Sequence, residues 1–214
     1  MDATRIVAIR HGETDWNANA LIQGLQDIAL NARGRWQARR AAQSIADAQE
    51  PVSAIYSSDL ARARDTALAI GQRCGLPVVD EPRLRERGFG SFEGHSFDQL
   101  ERLWPQDAAR WRARDVTWAP PGGETLHTLA ERIRTVTDVL ARRHLGRLIV
   151  LVSHGGVLDM LYRIATREPL DARRHWAIGN ASINRLLWTP EGLSLVGWSD
   201  TRHLDADWRD ETGA

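Results

Sequence analysis

The chain has 214 residues, enough for one medium-sized domain with a sizeable core, and 28 cationic against 28 acidic side chains, a formal net charge of zero. That balance lacks the cationic footprint that nucleic acid or an anionic membrane surface requires, and points to a small molecule or a protein as partner. All 28 cations are arginine, which excludes Schiff-base lysines and a P-loop lysine, and the single cysteine, Cys74, excludes an internal disulfide and a cysteine metal site.

In chain order, the opening MDATRIVAIR carries Asp2 and an apolar run too short for a signal peptide. No segment approaches the roughly 18 apolar residues of a membrane span, and the lone cysteine fits a reducing compartment, so a cytoplasmic protein is expected. Residues 6–9 read as a strand buried on both faces. Asn31 can cap a helix over 32–48, and 54–56 is a weaker strand. Asp59 can cap a second helix running to Cys74 and stopping at Gly75 and Pro77, with a short strand at 78–79 after it. Residues 124–145 form a long helical pattern ending at Gly146, and 148–152 (LIVLV) is the strongest apolar strand. A helix should open after Gly155 and Gly156. Residues 183–188 and 193–198 flank the turn Thr189-Pro190-Glu191-Gly192 as an antiparallel hairpin. This alternation predicts an α/β three-layer sandwich with a mostly parallel central sheet, helices on both faces and one antiparallel edge strand. Residues 1–214 read as a single domain with a Trp-rich insertion around 87–122. In that insertion Trp104, Trp111 and Trp118 recur every seven residues, as core aromatics or as an apolar lid, while Pro105 and Pro120 argue against one continuous helix.

Two strands end alike. The first runs into Arg10-His11-Gly12 and the LIVLV strand into Ser153-His154-Gly155-Gly156. Ligands of open α/β sheets bind beyond the carboxyl ends of strands, so if these two are neighbours both imidazoles face one crevice. Gly155-Gly156 also opens a helix, whose free N–H groups favour an anion. If Asp59 is a cap, Arg62 lies in a first helical turn, where the dipole disfavours a cation by roughly 0.3–1 kcal/mol. An ion pair with Asp65 would offset about 0.2–0.5 kcal/mol of that, and a bound phosphate gripped by the guanidinium fork is the alternative. Two histidines and two arginines at strand exits suit phosphate handled without metal, and no histidine pair at metal spacing has acidic neighbours.

These residues carry a resemblance to a known family. Arg10-His11-Gly12-Glu13-Thr14 with Trp16 and Asn17, then Gln23-Gly24, residues 57–67 (SSDLARARDTA), Leu84-Arg85-Glu86 and Ser153-His154-Gly155-Gly156 stand in the order seen in the histidine phosphatase superfamily, which includes cofactor-dependent phosphoglycerate mutases. The resemblance implies that His11 is the nucleophile and becomes phosphohistidine. Arg10, Arg62 and His154 would hold the phosphoryl oxygens, with weaker contacts from Asn17, Gln23, Gly24 and Gly155. Glu86 would protonate the leaving oxygen and then activate water, a role open to a carboxyl whose protonated form is favoured by a bound phosphate. Glu93 is a rival in the same loop, or a group that satisfies loop N–H donors.

Mutases of this family usually add a tyrosine and a lysine after the acid to hold a second anion. Here Phe89 stands in that loop and lysine is absent, whereas Pro120-Pro121-Gly122-Gly123-Glu124-Thr125 resembles the broad phosphatases. The expected function is therefore a metal-independent phosphomonoesterase, a hydrolase of the histidine acid type, acting on a small phosphorylated metabolite with no cofactor. The alternative is a phosphoglycerate mutase, which would need 2,3-bisphosphoglycerate and for which Arg112 and Arg114 are candidate anion ligands. An inactive phosphate-binding regulatory module is a third possibility, disfavoured because binding alone needs neither His11 nor Glu86. A monomer or a homodimer is expected, without nucleic-acid or membrane partners.

Overall fold

The structure, a computed structural model, describes residues 3–205. Its strands are β1 (Thr4–Arg10), β2 (Val52–Ser57), β3 (Val78–Asp80), β4 (Leu148–Ser153), β5 (Ile183–Thr189) and β6 (Gly192–Asp200), in one sheet of order β3-β2-β4-β1-β5-β6. Pairings from β3 to β1 are parallel, and the predicted hairpin β5–β6 forms the antiparallel edge, so that edge is a pair of strands. The helices are α1 (Asp15–Ala18), α2 (Ala32–Ala46), α3 (Ala61–Cys74), α4 (Phe97–Leu103), α5 (Pro105–Arg112), α6 (Leu126–Arg142) and α7 (Gly155–Thr166).

The unbroken apolar runs of β1 and β4 follow from burial on both faces. Ile6, Ala8, Ile149 and Leu151 pack toward Leu129, Ile133 and Val136 of α6 and Val157 and Met160 of α7. Their alternating neighbours Val7, Ile9, Val150 and Val152 pack toward Ala42 and Ile45 of α2 and Ala63, Ala67 and Ile70 of α3. Side chains of a strand alternate between faces, so covering both requires an apolar residue at every position, each large one contributing roughly 1.5–3 kcal/mol on burial. The β1–β4 register pairs Ile9 with Val152 and Arg10 with Ser153, so both strands end at the same level.

Asn31 caps α2 as expected, its Oδ1 accepting from Gly34 N at 2.8 Å. Asp59 does not cap α3. The N-cap is Leu60, the Asp59 carboxylate accepts from Arg85, and the exposed helix end is met by Asp27, whose Oδ1 accepts from Ala61 N at 2.7 Å. An acid distant in sequence thus does the capping, which a local pattern cannot register. The helix predicted over 124–145 is shorter, running from the Thr125 cap to Arg142.

Trp104, Trp111 and Trp118 do not share one helix. Trp104, at φ −139° and ψ 65°, separates α4 from α5, and Trp118 lies in the loop beyond α5. All three converge on Phe92, each with ring centroids 5.8 Å away, in a small satellite core with Leu100 and Ala108. Trp198 packs edge-on to Tyr162 and donates to Ala177 O at 2.8 Å, while Trp208 lies outside the described residues.

Candidate active site

His11 leaves β1 with its N–H donating to Ser153 O at 2.9 Å, which extends the β1–β4 pairing by one residue. Gly12 follows because the chain presses here against the start of α2: a Cβ on Gly12 would lie 2.4 Å from Gly34 O, and one on Gly34 would lie 2.0 Å from Glu13 O. Gly12 N donates to Thr66 Oγ1 at 3.1 Å. This turn also fixes the imidazole, since His11 Nδ1 lies 2.7 Å from Gly12 O. A carbonyl only accepts, so Nδ1 carries the proton and a neutral His11 keeps its lone pair on Nε2. Burial, then the positive charges of Arg62 and Arg10, hold His11 well below the usual histidine range, so the ring is neutral at neutral pH.

His154 faces it across the strand pair, ring centroids 5.1 Å apart and planes at 59°. Its Nε2 lies 2.8 Å from Ser58 Oγ, and burial, with the positive charges of Arg62 and Arg10 adding to it, keeps it neutral too. Arg10 is anchored through Nη1 to Ile178 O at 2.7 Å. Arg62 is fully buried, its Nη1 and Nη2 donating to Gln26 O at 2.7 Å and Gly24 O at 2.8 Å; Asp65 makes no pair with it, so the local ion pair considered for the first-turn cation is not the one used. What these anchors leave over is informative. Arg10 Nε, Arg62 Nε and His154 Nδ1 are buried nitrogens with no hydrogen-bond partner, an expensive state for buried polar groups and one that an oxyanion would relieve at the two guanidiniums.

Both histidines take up a proton on unfolding below about pH 6.5, because their folded affinities for protons are depressed relative to the unfolded chain. Stability is therefore full above that pH and falls as acid is added, with a slope approaching ~1.4 kcal/mol per pH unit for each histidine. Thermal melts of the wild type and of His154→Gln between pH 5 and 7.5 check this, the variant losing about half of the slope that the pair supplies.

Glu86 closes the site from the loop after β3. Its carboxylate accepts from Arg87 N at 2.8 Å and from Gly156 N at 3.0 and 3.1 Å, so it sits on the first turn of α7. A Cβ on Gly156 would stand 2.3 Å from Glu86 Oε1 and would push the carboxylate off this seat, and a Cβ on Gly155 would lie 3.7 Å from Arg10 Nε. Glu93 is elsewhere engaged: its oxygens accept from Leu25 N, Phe89 N and Gln26 Nε2, latching two loops together. Gly24 enters through its carbonyl on Arg62, and Gln23 is buried in the same turn with Oε1 unpartnered. Asn17 completes the capping box of α1 with Thr14, and Asn180 Nδ2 reaches both its Oδ1 at 3.3 Å and His11 O at 3.0 Å.

Ser58, Thr66, Asn180, Arg87 and Arg174 also belong to this region and were not singled out by sequence reasoning. Ser58 and Thr66 stand inside the SSDLARARDTA motif, whose neighbours to Arg62 were the available signal. Arg87 is buried, lowered to about 10 chiefly by that burial, with its guanidinium 5.5 Å from the Phe89 ring and 5.3 Å from the Trp111 ring. Beside Arg10, Gly155 and Gly156 opens a cavity of about 240 Å³, also lined by Arg87, Arg114 and Arg174. A second, of about 360 Å³, shares those three arginines and extends outward past Trp111 and Trp118 to Arg110 and Arg173. Among the described residues no group of three or more His, Cys, Asp or Glu side chains could hold a metal ion, and no helix is long and apolar enough to cross a membrane.

A mostly parallel sheet with two histidines and two arginines gathered at its carboxyl edge defines a protein of the three-layer α/β class. The chain belongs to the histidine phosphatase superfamily (branch 1), whose family profile matches residues 6–201. It is 38% identical to "Phosphoglycerate mutase-like protein 4" of Arabidopsis thaliana, over 96% of this chain and 89% of that one. It is 36% identical to the "Metal-independent phosphoserine phosphatase" of the same plant, over 96% and 85%. The solved mycobacterial glucosyl-3-phosphoglycerate phosphatase bound to VO3 superposes with a TM-score of 0.82 at 35% identity, over 92% of this chain and 99% of the other. These similarities support a phosphatase of phosphorylated metabolites.

Proposed function

We propose that this protein hydrolyses small phosphomonoesters without a metal, through a phosphohistidine at His11. The observation that carries the reading is the neutral His11 with its lone pair on Nε2, set among three buried nitrogens with no protein partner, those of Arg10 Nε, Arg62 Nε and His154 Nδ1. His11 Nε2 attacks phosphorus while the bond to the leaving oxygen breaks, and that oxygen takes the proton of the Glu86 carboxyl. Arg10, Arg62 and His154 stabilise the charge of the equatorial oxygens. Water then attacks phosphorus, the P–N bond breaks, and Glu86 takes the proton from water, releasing phosphate and restoring the enzyme. His154 donates from Nδ1 in the tautomer where Ser58 Oγ–H donates to its Nε2.

On the leaving-group side Arg87, Arg114 and Arg174 line the cavity, which suits a monoester whose leaving group carries a second anionic group such as a carboxylate. A mutase would need such a subsite as well, and this is the observation that keeps phosphoglycerate mutase as the second reading. Against it, Phe89 packs on Trp111 at 4.9 Å and offers no hydroxyl to a second phosphate. Rapid alkaline quenching during turnover of labelled 3-phosphoglycerate should trap an acid-labile phosphoprotein with the label on His11, with free phosphate as product and little 2-phosphoglycerate. Absence of the phosphoprotein, or rapid isomerisation, would overturn the proposal.

A further inference from the structure

The cavity arginines do not hold themselves in place. Asp159 lies on α7 one turn beyond Gly155, is 4% exposed, and its Oδ2 accepts from two guanidiniums, Arg114 Nη2 at 2.9 Å and Arg163 Nε at 3.1 Å. Each guanidinium then reaches the backbone of the segment that joins α7 to β5. Arg163, 1% exposed, donates through Nη2 to Ala172 O at 2.8 Å and through Nη1 to Pro169 O, with its plane 4.8 Å from the Trp176 ring. Arg114 donates through Nε to Leu170 O at 2.9 Å. Three carbonyls of one surface segment are thus gripped by two arginines that meet on one carboxylate, and the same segment carries Arg174 into the cavity.

We infer that Asp159 is a positioning residue for the leaving-group subsite, setting Arg114 and the Arg174 segment at fixed places relative to the α7 N-terminus. A buried carboxylate is costly unless satisfied by strong donors, and a packing role alone would be served as well by an apolar residue. Two guanidiniums on one carboxylate also leave one positive charge uncancelled, so Arg114 is immobilised while the cavity stays cationic. Asp159 Oδ1 has no partner, so all of the restraint passes through Oδ2. Asparagine at 159 preserves the shape and, with its carbonyl oxygen at the Oδ2 position, can still accept from both guanidiniums, but without the negative charge that strengthens those bonds.

The inference rests on the reading that the leaving group carries a second anion, and the test separates the two. In the intact protein, Asp159→Asn should raise KM for 3-phosphoglycerate about ten-fold, the difference between charge-assisted and neutral hydrogen bonds to Arg114, with kcat nearly unchanged. Turnover of p-nitrophenyl phosphate, whose leaving group is neutral apart from the scissile oxygen, and inhibition by inorganic phosphate should stay within about two-fold, a difference of less than 0.5 kcal/mol. Arg163→Lys, which keeps the charge but loses the fork, should show the same pattern more weakly. Equal losses on both substrates, an unchanged KM for 3-phosphoglycerate, or loss of phosphate inhibition in both variants would overturn the positioning role. If Arg174→Ala leaves the KM for 3-phosphoglycerate unchanged, the second-anion reading itself fails. If Arg174→Ala raises that KM and Asp159→Asn does not, only the role of Asp159 fails.

Discussion

Replacing His11 with alanine should lower turnover of p-nitrophenyl phosphate by about four orders of magnitude or more, the scale seen when a nucleophile is removed from a preorganised site. The aryl phosphate has a good leaving group, so its cleavage depends little on acid assistance and reports the attack step. Arg10, Arg62 and His154 remain in the variant, and their anchors on Ile178 O, Gln26 O, Gly24 O and Ser58 do not involve the His11 ring. Phosphate should therefore still inhibit or bind, which separates loss of the nucleophile from loss of the site. The wild-type rate should be indifferent to chelators. Activity retained by His11→Ala above that level would sink the nucleophile assignment, and activity lost to a chelator would sink the metal-free one.

Glu86→Gln should divide substrates by leaving group. An alkoxide leaves poorly without a proton, and general acid catalysis is worth about 10²–10⁴ in such a step. Turnover of 3-phosphoglycerate should fall within that range while initial phosphorylation of His11 by p-nitrophenyl phosphate falls far less. Glutamine keeps a carbonyl oxygen that can still accept from Gly156 N and Arg87 N, so the first turn of α7 retains its partner and the fold is not the variable. Dephosphorylation should slow for both substrates because the same group activates water, and pre-steady-state bursts with p-nitrophenyl phosphate would expose this. Equal slowing of the phosphorylation step for both esters would remove Glu86 from the acid role.

The core of the fold was legible because β1 and β4 contain the unbroken apolar runs 6–9 and 148–152, a pattern that double-sided burial explains, and because Asn31 and Gly75 mark helix ends by local chemistry. His11 and His154 were legible for a related reason: each follows such a strand and precedes a glycine, Gly12 pressed against the Gly34 backbone and Gly155 at the start of α7. What the sequence did not reveal depends on contacts between distant segments. Asp27 capping α3, Asn180 bracing the His11 carbonyl and Asp159 joining Arg114 to Arg163 are ordinary polar residues whose partners are set by topology. The seven-residue tryptophan spacing was legible as an apolar cluster but not as a geometry, since Pro105 starts a new helix and the three rings meet by convergence of three separate segments on Phe92.

The alignment of Arg10 with Ser153 has a consequence for how the protein comes into being during synthesis. His11 is made early, but the strand that brings His154 beside it and the Asn180 that braces its carbonyl emerge only near the end. Without β4 between β2 and β1, the imidazole lacks the neighbours that bury it, and no contiguous segment of the chain contains them all. The surroundings of His11 are thus completed only by segments made after residue 147, and a chain that ends before them lacks both the facing imidazole and the Asn180 brace.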